Sequence, residues 1–314
     1  MALKQVLEIL DLMECAVIEE KIVSNYFMEK GLDKRNLELQ SVRGEKGETT
    51  FVKIQIFGTD GRLRGGQSPT LGIIGRLGGI GARPDKIGLV SDADGAIAAL
   101  ACASKILDLN RKGDSLKGDI IISTHLSPSS PIIPHDPVPF MDAPITIETM
   151  NKYEVDERME AILSVDTTKG NRIINRRGFA ISPTAKNGYI LRVSEDLLDI
   201  MQAVTGKLPE VFAITQQDIT PYGNDLYHLN SIMQPATATE APVVGIAITS
   251  EVAVAGCATG ANQYIDIEMA VRFVVEVAKA WGMKQCSLYN EKEFHRLLSL
   301  YGSLDCFKTL GKRE

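Results

Sequence analysis

The stretch "DADGAIAALACASKILDLNRK" (residues 92–112), followed by "GDIIIST" (118–124), indicates the fold class. The first segment is apolar at helical spacing and begins with Asp92 and Asp94, whose negative charges suit the positive end of a helix. The second is a short run of β-branched residues, which is typical of a strand buried on both faces. A helix followed by such a strand is the repeating unit of an α/β protein.

The same alternation returns further along the chain. "EAILSVDTT" (160–168) and "VVGIAITS" (243–250) predict buried strands, whereas "SEDLLDIMQAVTG" (194–206) and "DIEMAVRFVVEVAKAWG" (266–282) predict helices. Apolar residues at helical spacing also predict a helix over residues 4–30. We therefore expect a three-layer α/β/α fold with a mostly parallel mixed sheet.

The expected domain organisation is a single core with one interruption. Residues 1–40 and 89–285 form the α/β core, and residues 286–314 form a C-terminal helical tail. Residues 41–88, where the hydrophobic period changes and glycines are frequent, predict a small β-rich insertion. The glycines of "LGIIGRLGGIGARP" (71–84) lack the spacing of a dinucleotide-binding loop, so no nucleotide is expected there.

The bulk composition excludes several classes of partner. The chain has 314 residues and a formal net charge of −6. Nucleic acids and anionic membranes require a basic protein surface, so we expect neither as a partner. No stretch approaches the ~18 apolar residues of a membrane span, and the N-terminal residues lack the apolar core of a signal peptide. The five cysteines form no CxxC pair, which favours a reducing cytoplasm.

Several polar side chains follow the predicted strands directly. They are Asp92, Asp94, His125, Asp166 and Cys257. In open α/β sheets the site lies beyond the carboxyl ends of the strands, so these groups could converge on one metal ion with mixed ligands. The structural alternative is that the aspartates cap a helix or begin a turn and that His125 is bonded to the backbone.

Further candidates lie in loops. Prolines on both sides of His135 in "IIPHDPVPF" (132–140) restrict the backbone and would fix the direction of its side chain, for catalysis or for packing. The turn-rich segment "TQQDITPYGNDLYHLNS" (215–231) contains Asp218, Asn224 and His228, which could bind substrate or form a structural network. Arg172 belongs to a basic cluster that could hold a substrate carboxylate or be a solvated surface.

Six segments of the chain carry a family resemblance: "VSDADGAIAALACASKIL", "STHLSPSSPIIPHDPVPFM", "SVDTTKGNRI", "GFAISPTAKNGYILRVSEDLL", "QDITPYGN" and "GCATGAN". Together they resemble a bacterial and archaeal family known as domain of unknown function 1177. More distantly, the order of these segments is similar to that of the co-catalytic zinc aminopeptidases and deacylases of the TET or glutamyl-aminopeptidase type. That likeness implies that residues 41–88 are a shortened lid, and it implies a homo-oligomer with an even number of subunits.

The likeness to the zinc aminopeptidases also implies metal ligands. Asp92 takes the place of the aspartate that bridges two metal ions, and Asp166 that of the later aspartate ligand. The family's first His-x-Asp strand is missing, and "STHLSPS" stands where the Glu-Glu pair is expected. His125 or His135 could replace these glutamates, and Cys257 could replace the last histidine ligand.

The resulting functional hypothesis is a metal-dependent hydrolase of a peptide or N-acyl amide bond, a metallo-aminopeptidase or amidohydrolase. Asp92, His125, Asp166 and Cys257 would bind one or two divalent ions, with zinc as the first choice, and His135 or Asp94 would carry a proton. The alternative is a peptidase-like protein that has lost its catalytic glutamates and binds a small amide. An isomerase or lyase that uses the same crevice without metal is a third hypothesis.

Overall fold

The computed structural model describes residues 1–15, 20–79, 89–128, 130–134, 140–169, 171–254 and 260–312. Within these ranges there are seven α-helices: Leu3–Met13 (α1), Glu20–Glu29 (α2), Asp94–Asn110 (α3), Ile147–Glu154 (α4), Glu195–Thr205 (α5), Tyr264–Gly282 (α6) and Glu291–Tyr301 (α7). The strands in the same ranges are Leu37–Gly44 (β1), Gly47–Ile56 (β2), Leu71–Gly75 (β3), Ile120–Leu126 (β4), Ile132–Ile133 (β5), Phe140–Met141 (β6), Ala161–Thr167 (β7), Gly178–Ile181 (β8), Ala185–Lys186 (β9), Tyr189–Ile190 (β10) and Val243–Thr249 (β11).

Nine of these strands form one mixed sheet in the order β1-β2-β4-β3-β7-β11-β9-β10, with β8 also paired to β11. The four central strands β4, β3, β7 and β11 are parallel. The outer strands are antiparallel to their neighbours. Every residue of the four central strands is buried except the last residue of β7, as expected for parallel strands covered on both faces.

Three layers result from this burial. One face of the sheet packs its apolar side chains against α1, α3, α5 and α6. The other face is covered by α4 and by the segment 212–236. The predicted α/β fold with a mostly parallel mixed sheet is therefore confirmed. No helix in the described part of the chain is both long enough and apolar enough to cross a membrane.

The segment 41–88, expected as a separate insertion, contributes to this same sheet as far as it is described. It supplies half of β1, all of β2, and β3, which lies in the centre of the sheet between β4 and β7. The segment "LGIIG" is a fully buried strand, although its glycines suggest a loop. Glycine is needed at position 72 because it faces the side chain of Met159, where a Cβ would lie 2.4 Å from the sulfur. The helix expected over residues 4–30 is instead two helices, α1 and α2.

The start of α3 lies directly against the carboxyl ends of the central strands. A Cβ at Gly95 would lie 1.8 Å from the backbone oxygen of Arg76, just after β3, and 2.4 Å from that of Val165 in β7. Only glycine permits this approach. The glycine in "DADG" therefore brings the beginning of a helix to the edge of the sheet where a site is expected.

Candidate functional site

A row of polar side chains crosses the carboxyl ends of the three strands β4, β3 and β7. The parallel register pairs the last residue of β3, Gly75, with Thr124 and Val165. The next residue, Arg76, therefore follows level with His125 of β4 and Asp166 of β7. We call His125, Arg76 and Asp166 the polar row. All three are buried, on the face of the sheet that α4 and the segment 212–236 cover.

Arg76 is at the centre of the polar row and exposes no surface. Its Nε donates to Glu154 Oε2 at 2.9 Å, and its Nη2 donates to Asn151 Oδ1. Both acceptors belong to α4, three residues apart and so on one face of the helix. Nη1 is buried and has no hydrogen-bond partner among the described residues. A guanidinium N–H left unpaired in the interior is costly, so this position suits a bound acceptor.

His125 is fixed by hydrogen bonds to both of its ring nitrogens. Nδ1 contacts Glu154 Oε1, and the backbone N–H of Gly78 donates to Nε2 at 3.1 Å. Because a carboxylate only accepts and an amide N–H only donates, the ring is neutral with its proton on Nδ1. A metal ion could bind His125 only by displacing one of these two partners.

Asp166 carries the third side chain of the polar row. Its Oδ1 accepts from the backbone N–H of Thr167 at 2.7 Å, and its Oδ2 accepts from Ser231 Oγ at 2.8 Å. Burial raises the pKa of Asp166 to about 7, and the nearby Arg76 charge offsets this only in part. A carboxyl group with such a pKa can both accept and donate a proton near neutral pH.

The segment 215–231 is held over the polar row by Asp218. This fully buried carboxylate accepts from Thr215 N at 2.7 Å and from Thr215 Oγ1 at 3.1 Å. It also accepts from the backbone N–H groups of Leu229 at 2.7 Å and Asn230 at 3.1 Å. In this arrangement Asp218 shapes the segment and has no oxygen directed at a ligand.

The other predicted substrate-binding residues of this segment, Asn224 and His228, contact neighbours within the segment. Asn224 Nδ2 donates to Thr220 Oγ1 at 2.8 Å, and His228 Nδ1 lies 3.0 Å from the backbone oxygen of Leu226. The Tyr222 ring packs on the His228 ring with centroids 4.4 Å apart. Desolvation of the Tyr222 hydroxyl, with the charges of Asp166 and Asp218, raises its pKa to about 12. Sequence reasoning did not select Tyr222, although it lies near enough to the polar row for the charges of Asp166 and Arg76 to affect its pKa.

Asp94 belongs to a second cluster at the same edge of the sheet. Its Oδ2 is bound to the ammonium of Lys169, and its Oδ1 accepts from Asn262 Nδ2 at 2.6 Å. Lys169 Nζ also donates to the backbone oxygen of Ala261 at 2.7 Å. Burial raises the pKa of Asp94, while Lys169 acts in the opposite direction. This ion pair joins the start of α3 to the segments after β7 and before α6.

The remaining predicted site residues are Asp92, Arg172, His135 and Cys257. Asp92 is buried in the 3₁₀ turn that precedes α3. Arg172 is exposed. His135 and Cys257 lie outside the described residues.

The fit to a divalent ion can be tested on the described donors. No three His, Cys, Asp or Glu side chains in the described ranges lie together so that they could hold a metal ion. Two acidic groups at this edge, Glu154 and Asp94, already have buried cationic partners in Arg76 and Lys169. Because these two carboxylates are paired with side-chain cations and no three donors come together, the described residues do not fit a divalent ion.

Sequence reasoning missed the groups that organise the site. These are Arg76, Asn151, Glu154 and Ser231. The available signal was a charged residue directly after the apolar run "LGIIG", the same pattern that selected Asp166. Glu154 and Asn151 lie on a short amphipathic helix with an exposed polar face, and such a helix gives no sign from sequence that two of its polar residues are buried.

Solved structures with the same fold include enzymes. The bottromycin maturation enzyme BotP has a TM-score of 0.52 and 12% identity, covering 88% of this chain and 70% of that chain. The same enzyme in complex with Mn has a TM-score of 0.53 and 14% identity, covering 90% and 70%. A glutaminyl cyclase from an Acidobacteriales bacterium has a TM-score of 0.50 and 10% identity, covering 90% and 94%.

At these identities the likeness shows the fold alone, and it confirms the expected similarity to zinc-aminopeptidase-like folds. No curated protein sequence matches this chain significantly. One family model matches residues 40–311. Because this match spans most of the chain, the protein belongs to the family described as "Protein of unknown function (DUF1177)".

Proposed function

We propose that this protein hydrolyses a peptide or N-acyl amide bond of a small substrate at the polar row. The observation that carries the proposal is the buried Arg76 Nη1, which has no partner in the described part of the chain and lies at the carboxyl ends of parallel strands. A site of this kind suits a carbonyl oxygen, the one acceptor that every peptide or N-acyl amide bond offers.

Further polar atoms around Arg76 support an amide ligand. Gln234 Oε1 is buried without a hydrogen-bond partner among the described residues, while its Nε2 is bound to two backbone oxygens. Gln234 adjoins the Arg76 network, because its backbone oxygen accepts from Asn151 at 3.1 Å. An amide presents both an acceptor for Arg76 and an N–H donor for Gln234 Oε1, so a single group could satisfy both.

Arg76 and Asp166 would divide the chemistry. Arg76 Nη1 would donate to the carbonyl oxygen and stabilise the negative charge that develops there during water attack. Asp166, held by Thr167 and Ser231, would take a proton from the attacking water and return it to the leaving nitrogen. His125 and Glu154 would hold Arg76 in place rather than react.

The divalent ion predicted from the sequence is not part of this mechanism. A similar structure, BotP, is described in complex with Mn, which makes metal content worth measuring here. In this chain, however, the paired acids Glu154 and Asp94 argue against a metal among the described donors. His135 and Cys257, the other predicted participants, lie outside those residues.

The test is release of a free amine from a panel of dipeptides and N-acetyl amino acids, run with a chelator and separately with zinc or manganese. We expect turnover in both conditions and a loss of about 10²-fold or more in kcat for Asp166→Asn. Asp225→Asn is the matched control, since Asp225 is exposed and its φ of +59° is one that asparagine tolerates. Absence of turnover by the parent protein with every substrate would refute the hydrolase.

The second candidate is a binding protein for the same class of amides. It is favoured by Glu154, the acid bonded to Arg76, whose two oxygens already contact Arg76 and His125. This candidate predicts saturable thermal stabilisation by N-acetyl amino acid amides without any product.

We also expect the protein to be cytoplasmic and to form a homo-oligomer. Light scattering on the purified protein measures the oligomeric state directly.

A further inference from the structure

A large cleft lies at the opposite edge of the sheet from the polar row. Its volume is about 1030 Å³, and it lies where β3, β7 and β11 begin, beside Pro69, Glu160 and Pro242. This volume is at the upper end of the range found for small-molecule sites, about 300–1,000 Å³. The cleft shares no residue with the polar row, so a ligand bound there would not depend on the proposed hydrolase activity.

Part of the cleft lining is apolar and aromatic. Met159, Trp281, Leu288 and Tyr289 line it. The indole Nε1 of Trp281 is buried and has no hydrogen-bond partner within the described ranges. Flat aromatic rings beside aliphatic side chains suit an apolar ligand group, with aromatic rings among the best.

Lys186 is a cation in this cleft without an acidic partner among the described residues. Its ammonium donates to the backbone oxygen of Glu240 at 2.5 Å and lies 5.5 Å from the Tyr289 ring centroid. Desolvation lowers the pKa of Lys186, although the nearby carboxylate of Glu240 acts in the opposite direction. A partly desolvated ammonium of this kind gains from an anionic ligand group.

The carboxylate of Glu240 is close to Lys186 but does not pair with it. Glu240 is exposed at the cleft and forms no ion pair with any described residue. Over the whole cleft the lining is balanced, with four basic and four acidic side chains. A ligand that carries one charge would be attracted by one of these two groups and repelled by the other, whereas a ligand with both charges satisfies both.

From this arrangement we infer that the cleft binds a free amino acid with a large apolar side chain, in its zwitterionic form. The ligand carboxylate would contact Lys186, and its ammonium would contact Glu240. The apolar side chain would lie against Trp281 and Tyr289. The charges of Lys186 and Glu240 thereby select the zwitterion, and the two aromatic rings select the apolar side chain.

The cleft contains its own reporter, because Trp281 is the one tryptophan of the chain. The experiment is a titration of the full-length protein, followed by tryptophan emission, with L-phenylalanine, 3-phenylpropionate and L-phenylalaninamide. The last two compounds lack the ammonium and the carboxylate charge, respectively. We expect a saturable change with L-phenylalanine and binding at least about tenfold weaker for the other two, since each loses one charge-assisted contact.

Substitutions in the cleft test whether Lys186 and Glu240 bind the ligand that changes the tryptophan emission. Lys186→Gln and Glu240→Gln should each weaken L-phenylalanine binding about tenfold. Lys112→Gln, the same charge change at an exposed turn, should leave it unchanged. Equal melting temperatures for the variants show that folding is intact. The inference is overturned if no compound gives a saturable change, if 3-phenylpropionate binds as tightly as L-phenylalanine, or if Lys112→Gln weakens binding as much as Lys186→Gln.

Discussion

Arg76 and Glu154 form an ion pair, with Nε 2.9 Å from Oε2, in which neither side chain exposes any surface. The second oxygen of Glu154 contacts His125 Nδ1. One carboxylate therefore fixes two members of the polar row and neutralises the charge of Arg76. It does so without using Arg76 Nη1, which is buried and has no hydrogen-bond partner among the described residues.

Replacing Glu154 should therefore destabilise the protein strongly. Glu154→Gln removes the carboxylate that is hydrogen-bonded to the buried Arg76, and breaking a buried pair in this way costs about 3–5 kcal/mol. Glu293→Gln is the control, because the Arg192–Glu293 pair has side-chain exposures of 70% and 57% and should contribute less than about 1 kcal/mol. Urea unfolding measures both variants. Similar losses for the two would show that the Glu154 pair has no special role.

Asp166 should make stability depend on pH. The folded-state pKa of about 7 lies above the ordinary value of 3.8, so the folded protein binds the proton more tightly than the unfolded chain does. Between these values the native state holds more protons, and the free energy of unfolding falls as pH rises. The total loss is up to about 4 kcal/mol, from ~1.4 kcal/mol per pKa unit.

The measurement compares Asp166→Asn with the parent protein by urea unfolding at several pH values. The variant cannot ionise at this position, so its stability relative to the parent should increase from pH ~4 to pH ~7 and then level off. Comparing the two proteins removes the contributions of the other acids, among them Asp266, whose pKa burial raises to about 6. A difference that stays constant with pH would mean that Asp166 remains ionised throughout.

The fold class was predictable because buried parallel strands and amphipathic helices produce distinct periods. "GDIIIST" contains most of β4 and "EAILSVDTT" all of β7, and Asp94 begins α3, with Asp92 in the turn just before it. β3 was not recognised as a central strand, because its glycines resemble a loop in sequence. They are there because Gly72 and Gly75 face Met159 and α3, where no side chain fits.

The candidate site was only partly predictable for a similar reason. Sequence reasoning places polar residues at strand ends, and it found His125 and Asp166 in this way. It does not reveal which polar groups are bonded to each other across 29 or more residues, as His125 and Glu154 are. Lys169 belongs to the same basic cluster as Arg172, for which a substrate-carboxylate site or a solvated surface was expected, but it is buried against Asp94. Long-range ion pairs depend on packing, which no local pattern encodes.

Asp218 should control the order of the segment above the polar row. It accepts four hydrogen bonds from Thr215, Leu229 and Asn230. Asp218→Asn replaces one acceptor oxygen by a donor and should destabilise the protein by at least about 2 kcal/mol. Hydrogen exchange should become faster at the amides of the same three residues, whereas Asp225→Asn should leave their exchange unchanged. Unaltered exchange in Asp218→Asn would contradict this role.

Removing metal from the protein tests whether the partner of the buried Asp94 is the Lys169 ammonium or a divalent ion. Since Lys169 is bound to Asp94 with side-chain exposures of 2% and 0%, we expect substoichiometric zinc and manganese in protein purified without an affinity tag. Dialysis against a chelator should not shift the melting temperature, whereas a bound ion at 1,000 times its Kd would contribute about 4 kcal/mol.

Lys169→Met makes the same distinction from the opposite direction. Without its ammonium, the buried Asp94 is unpaired, so the variant should lose about 3–5 kcal/mol of stability. Added zinc should not restore it, because the described residues provide Asp94 with no neighbouring set of metal ligands. If zinc did restore the stability of Lys169→Met, or if the parent protein lost a stoichiometric ion and its melting temperature together, the cationic role assigned to Lys169 would belong to a metal instead.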